Sequence, residues 1–129
     1  MKKIVVGEEA SVSKTLTETD VYNFAGICGD FNPVHIDQIK AEGSRFEKRV
    51  CHGMLVASFI STVIGMKLPG EGTIYLEQNI RFVKPVYIGD TITAKVKVID
   101  LKKNIVVLET VVKNQNDCIV VEGQAKVLV

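Results

Sequence analysis

The sequence lacks most of the features that mark a chain built to hold a polyanion, a membrane or a structural metal. Lysine and arginine number 16 against 15 aspartate and glutamate, for a net charge of +1, and no basic run occurs. That balance argues against nucleic acid or an anionic membrane surface as the main partner. The cysteines are three, Cys28, Cys51 and Cys118, an odd and widely spaced set with no C-x-x-C pair. Neither a disulfide framework nor a zinc site is suggested, and a reducing cytoplasm is the simplest setting. Long apolar runs are missing too. The stretch from Met54 to Leu68 is the most apolar, but it contains two serines, a threonine and Lys67 and falls short of the roughly 20 residues of a bilayer span. The start, Met1 to Glu9, has two lysines but too short an apolar run for a signal peptide. Repeats, linkers and low-complexity segments are absent as well, so residues 1–129 are expected to form one domain.

The remaining composition is that of an ordinary globular chain, 47% hydrophobic and 24% charged. Thr17 followed by Asp20 has the form of a capping box, and Val21, Phe24, Ala25 and Cys28 recur at helical spacing until Gly29 supplies a stop. Between Asp30 and Arg49 the pattern gives way to turn chemistry, with Asn32-Pro33, Gly43-Ser44 and a short helical turn predicted over 37–42. A loop region of that length inside a compact domain points to a functional lid or wall. A second helix is predicted from Gly53 to Lys67, ended by Pro69-Gly70 and apolar around most of its circumference. Its Ser58, Ser61, Thr62 and Gly65 form one narrow stripe that invites close packing of backbone or sheet.

After Gly72 the period becomes two. Ile74, Leu76, Ile80 and Phe82 alternate with Tyr75, Glu77, Asn79 and Arg81, and Ile92, Ala94, Val96 and Val98 alternate with Thr91, Thr93, Lys95 and Lys97, as in half-buried strands. Turns at Gly89-Asp90, 102–104 and 114–117 separate these from two further strands over 105–113 and 118–128. These strands read as an antiparallel meander, and with an early strand near 11–16 the expectation is an α+β fold: a curved antiparallel sheet of about five strands wrapped around the long apolar helix, with an additional helix and a catalytic loop. One helix wrapped by one curved sheet is a hotdog.

Chemistry concentrates around the only two histidines, His35 and His52. In Asp30-Phe31-Asn32-Pro33-Val34-His35 a carboxylate and an imidazole flank a turn that can bring them to one point, although Asp and Asn before Pro also commonly cap their own turn. His52-Gly53 opens the apolar helix, whose N-terminus carries unpaired N–H groups and partial positive charge. Gly53 offers no side chain to obstruct a carbonyl oxygen approaching that backbone. His52 itself reads equally well as a histidine held in the core by hydrogen bonds.

These segments resemble the (R)-specific enoyl-CoA hydratases of the MaoC-like family. The hydratase motif is matched by Phe24 to His35 and Ala41, a second motif by His52 to Ser61, and further similarity runs through 68–76 and 82–90. The resemblance implies a hotdog fold, an acyl-CoA thioester substrate and a homodimer, with no metal or redox cofactor. It places Asp30 and His35 as the catalytic pair, Gly53 as the carbonyl-binding N–H, Asn32 as a shaper of the loop, and Ser61 near it. The expected reaction is reversible addition of water to trans-2-enoyl-CoA, including operation as a 3-hydroxybutyryl-CoA dehydratase. A hotdog acyl-CoA thioesterase and a non-catalytic acyl-CoA-binding subunit are the rivals. Arg45, Lys48, Arg49 and Lys84 are candidates for phosphate contact, and Tyr22, Phe46 and Met54 for the acyl pocket.

Overall fold

The computed structural model describes residues 3–129. Met1 and Lys2, the start of the segment read above as no signal peptide, lie outside the described residues. The order is β1 (Glu9–Thr15), α1 (Glu18–Cys28), α2 (Pro33–Ile36), α3 (Gln38–Glu42), α4 (Gly53–Met66), β2 (Ile74–Phe82), β3 (Thr91–Lys102), β4 (Ile105–Lys113) and β5 (Ile119–Leu128). All strand pairs are antiparallel, in the spatial order β1-β3-β4-β5-β2. Only β3, β4 and β5 therefore form a meander. β1 and β2 come earlier in the chain and flank it, which corrects the expectation of a simple meander: the strand at 74–82 pairs with β5, not with β3.

Strand alternation builds the core. Ile92, Ala94, Val96 and Val98 of β3, with Val106, Leu108 and Val112 of β4, are all 0% exposed and face α4. α4 contributes Leu55, Val56, Ala57, Ile60, Val63 and Ile64 and packs on β3, β1 and β4. Each large side chain among them contributes about 1.5–3 kcal/mol by burial. That far outweighs the weak helix propensity of its Val, Ile, Ser and Thr residues. This helix wrapped by one curved sheet is the hotdog fold.

α1 begins as the sequence predicts. The Thr17 hydroxyl accepts from Asp20 N–H at 3.2 Å and the Asp20 carboxylate accepts from Thr17 N–H at 2.9 Å. That second bond, followed by Lys14 at 3.0 Å, holds the Asp20 carboxyl below its ordinary range. Gly29 closes the helix at φ 81°, a left-handed conformation open to glycine.

Two parts of the structure depart from the sequence pattern. β2 is more exposed than its alternation predicts: Ile74, Leu76 and Phe82 are 55%, 49% and 51% exposed, Ile80 alone of the four packs against the core, and the pairing with β5 slips between Tyr75 and Glu77. The stripe Ser58, Ser61, Thr62 and Gly65 is not covered by the sheet: all four residues are exposed, and a Cβ placed on Gly65 would have no neighbour within 4 Å among the described residues.

Cys51 is buried beside the start of α4, and burial, with Asp90 and Asp20 adding to it, pushes its thiol up to about 12. Thiolate is the reactive form, so a disulfide reagent at about pH 8 is expected to label Cys51 only after denaturation. Cys28 is exposed and serves as the internal reference. Mass-spectrometric counting of labelled thiols checks this, and native-state labelling of Cys51 at the rate of Cys28 contradicts it.

Candidate active site

The segment between α1 and α4 is folded, not loose. Asn32 caps α2, its side-chain oxygen accepting from Val34 N–H at 3.2 Å with Pro33 at the first helical position. Asp37 caps α3 by accepting from Lys40 N–H at 3.0 Å. α2, which the turn signal at Asn32-Pro33 did not announce as a helix, carries His35. The segment is also tied down at its far end, where Val50 N–H donates to Val34 O at 3.1 Å and Cys51 N–H to Val86 O at 2.7 Å. It is a wall and not a lid.

These ties bring Asp30 and His35 together. One carboxylate oxygen, Oδ1, accepts from Asn32 N–H at 3.1 Å, so the turn-capping reading of Asp30 holds for half of the group. The other, Oδ2, faces His35 Nε2 at 4.0 Å. That separation is too long for a direct hydrogen bond and short enough for one water molecule to lie about 2.8 Å from both atoms. His35 Nδ1 lies 2.7 Å from Val50 O. A carbonyl only accepts, so Nδ1 carries the proton and Nε2 presents its lone pair toward Asp30 in the neutral ring.

His52 stands directly behind this pair. It is 2% exposed, its Nε2–H donates to the backbone carbonyl of Asp30 at 2.9 Å, and its ring stacks on His35 with centroids 3.8 Å apart and planes at 24°. Phe24 of α1 tilts against its other neighbour face at 4.9 Å. His52 is also the N-cap residue of α4 but makes no side-chain cap bond, so the first N–H groups of that helix, beginning with Gly53, are left free of a cap.

A cavity of about 360 Å³ is lined by Phe24, Cys28, Asp30, His35, His52, Gly53 and Met54. A second, of about 510 Å³, shares His35 and Gly53 with it and extends past Phe46, Val56, Phe82 and Val86 to Arg45 and Lys84. The two meet at the imidazole and the helix start, giving one mostly apolar cleft with its polar groups at the centre. A larger hollow of about 550 Å³ lies on the convex sheet face, but two of its lysines are engaged, Lys95 with Glu9 at 3.3 Å and Lys113 with Asp117 at 3.4 Å. Lys97 lines it as well, and its residues stand on the β3–β4 face turned away from the core and the imidazoles.

The structure thus assembles Asp30, Asn32, His35 and Gly53 at one place. It does not bring Ser61 there: Ser61 is exposed and lies eight residues along α4 from Gly53, about 12 Å by helix rise. Arg49 is engaged elsewhere, donating to Glu18 at 2.8 Å, to the Tyr22 hydroxyl at 2.8 Å and to Gln38 at 3.1 Å. The bond to Glu18 raises the guanidinium pKa further, and the Tyr22 hydroxyl, then Arg49, lowers that of Glu18. Tyr22 is used in this clamp, and Lys48 sits 4.3 Å over the Tyr87 ring. Arg45, Lys84, Phe46 and Met54 do line the cleft. Sequence spacing did not reveal the contacts of His52 with both Asp30 and His35, because they depend on two segments meeting from 22 and 17 residues away.

Asp30, His35 and His52 also place one ligand atom each within 4.8 Å of one another. A carboxylate and two imidazoles are a chemically sensible donor set for a transition metal. Here, however, two of the four imidazole nitrogens are already bonded to backbone carbonyls.

A carboxylate and an imidazole thus face each other across a cleft of a hotdog scaffold. The chain belongs to the MaoC-like domain family, whose model matches residues 5–121. It is 45% identical over 125 residues to an (R)-specific enoyl-CoA hydratase of Rhodospirillum rubrum, covering 95% of this chain and 86% of that one. It is 41% identical over 128 residues to an (R)-specific enoyl-CoA hydratase of Aeromonas caviae, covering 98% and 96%. The fold matches the solved structure of an (R)-hydratase from A. caviae involved in PHA biosynthesis with a TM-score of 0.96 at 39% identity, covering 100% of this chain and 99% of that one.

Proposed function

We propose that the protein is an (R)-specific enoyl-CoA hydratase, a hydro-lyase that adds water reversibly to trans-2-enoyl-CoA to give (R)-3-hydroxyacyl-CoA, and that it also works in reverse as a 3-hydroxyacyl-CoA dehydratase. The observation that carries the mechanism is the 4.0 Å gap between Asp30 Oδ2 and His35 Nε2 beside the open start of α4. Water held in that gap is deprotonated by Asp30 as its oxygen attacks the β carbon. His35, fixed by Val50 O, orients the water and assists proton return to the α carbon. The free N–H of Gly53 stabilises the enolate oxygen that develops on the thioester. Asn32 holds the turn from which Asp30 projects. These groups act without a metal or redox cofactor, and Ser61 has no contact in this chain that gives it a step in the reaction.

The protein acts as a single MaoC-like unit in the cytoplasm and as a homodimer. Support for the dimer comes from what α4 leaves uncovered: the apolar side chains of edge strand β2 and the small-residue stripe on the helix's own outer face. A second copy can bury both. Among the described residues no helix is long and apolar enough to cross a membrane.

The test is to offer crotonyl-CoA and longer enoyl-CoAs, follow loss of the enoyl absorbance and determine product configuration. The expected result is an (R)-3-hydroxyacyl-CoA with the thioester intact. Release of free thiol without hydration assigns a thioesterase instead, and absence of turnover with retained binding assigns a non-catalytic subunit.

A further inference from the structure

We propose that His52 is a positioning residue for the hydration step, holding Asp30 and His35 at once. The inference rests on the hydratase reading above and adds a group to it. The ring touches both members of the pair, through a 2.9 Å hydrogen bond to the carbonyl of Asp30 and a 3.8 Å stack on the imidazole of His35. The bond fixes the tautomer, since a carbonyl accepts only a proton carried on Nε2. Nδ1 is then an unprotonated nitrogen, buried with no hydrogen-bond partner among the described residues.

That orphaned nitrogen separates a catalytic from a structural role. A buried polar atom with no hydrogen bond opposes folding. A phenylalanine would fill nearly the same volume, keep the ring that stacks on His35 and packs by Phe24, and remove the orphaned atom, while leaving the Asp30 carbonyl without its donor. The two changes oppose each other in stability, so packing alone does not call for histidine here. What histidine adds is the Nε2–H donor that pins the main chain of Asp30, two bonds from the carbon that bears its catalytic side chain. Without the pin, Gly29 on one side and the Asn32 turn on the other leave the Asp30 peptide free to rotate, and the 4.0 Å spacing to His35 Nε2 widens or narrows with it. Misplacement of about 1 Å at a reacting group costs on the order of 100-fold in rate.

The experiment compares His52→Phe and His52→Gln with the native enzyme on crotonyl-CoA, recording kcat, KM and the thermal midpoint. Glutamine places an amide N–H near the position of Nε2. The expected result is that H52F loses about 10- to 100-fold in kcat with KM changed by less than about twofold and a thermal midpoint close to native, while H52Q regains most of the lost kcat. A fall in thermal midpoint that accompanies native kcat in H52F overturns the proposal, as does an H52Q variant no better than H52F. If H52F does not fold, imidazole nitrogen NMR of the native enzyme decides: a proton on Nε2 and none on Nδ1 supports the pin, and the opposite tautomer removes it. Failure of the hydratase reading itself shows separately, as native enzyme inactive on every enoyl-CoA.

Discussion

Asp30→Asn is expected to leave the fold intact and to lower turnover by at least about 100-fold, the scale of positioned acid–base catalysis. The Asp30 side chain is 53% exposed, so no packing is lost. The amide oxygen can still accept from Asn32 N–H at the place of Oδ1, 3.1 Å away. What changes is the atom facing His35. Oδ2 becomes an NH₂ group, which cannot take a proton from water and instead points a donor at the His35 lone pair. Steady-state kcat on crotonyl-CoA, with a circular dichroism spectrum as control for folding, measures the effect. Turnover at the native rate would remove Asp30 from the mechanism.

The largest loss of stability is expected from a position that touches no substrate. A Cβ added at Gly123 of β5 would lie 1.9 Å from the backbone oxygen of Asn79 on β2 and 2.8 Å from its carbonyl carbon. Backbone cannot step aside as a side-chain tip can. The close approach has a local cause: Asn79 uses its side-chain Oδ1 to accept from Gln124 N–H at 3.1 Å, while its main-chain oxygen turns to accept from Gln78 Nε2 at 2.8 Å. The same Gln78 amide satisfies the fully buried Thr110 hydroxyl at 3.0 Å. Gly123→Ala forces β2 away from β5 and breaks this chain of bonds, at a cost of about 3 kcal/mol or more. For a chain of this size that lowers the thermal midpoint by roughly 10 °C or more. Calorimetry of native and variant protein at one concentration tests it, and a shift of only a degree or two would mean that the strands separate freely.

The sequence was most informative where local chemistry decides structure. Thr17, Asp20 and Gly29 mark both ends of α1, the apolar run from Gly53 marks α4, and period-two alternation marks β3 nearly residue by residue. It was least informative about what lies across space. The alternation of Ile74, Leu76, Ile80 and Phe82 gives a strand but not its neighbour, and α4, packed mainly on β1, β3 and β4, leaves most of these side chains exposed. The small stripe on α4 invited close packing, and the sequence could not say that all four of its residues stand exposed. In the site, the motif from Phe24 to His35 singled out two side chains that the structure brings within 4.0 Å, while the Phe82 ring lying against Gly53 could not be read from the helix start. The second histidine stayed ambiguous because its meaning depends on the Asp30 carbonyl and the His35 ring, neither adjacent to it in sequence.

The segment between α1 and α4 is anchored at Val34, at Val86, by the Arg49 clamp onto Glu18, Tyr22 and Gln38, and by His52 onto Asp30. A pocket whose wall is fastened at so many points does not remould itself around whatever enters. On the proposed hydratase reading, selection among acyl groups would fall to the shapes of Phe46, Met54, Val56 and Phe82, which line the cleft, where a single methylene shifts preference by about 10- to 200-fold. Redirecting the protein toward longer or bulkier acyl groups becomes a matter of carving those four walls, with the proton-handling machinery left alone.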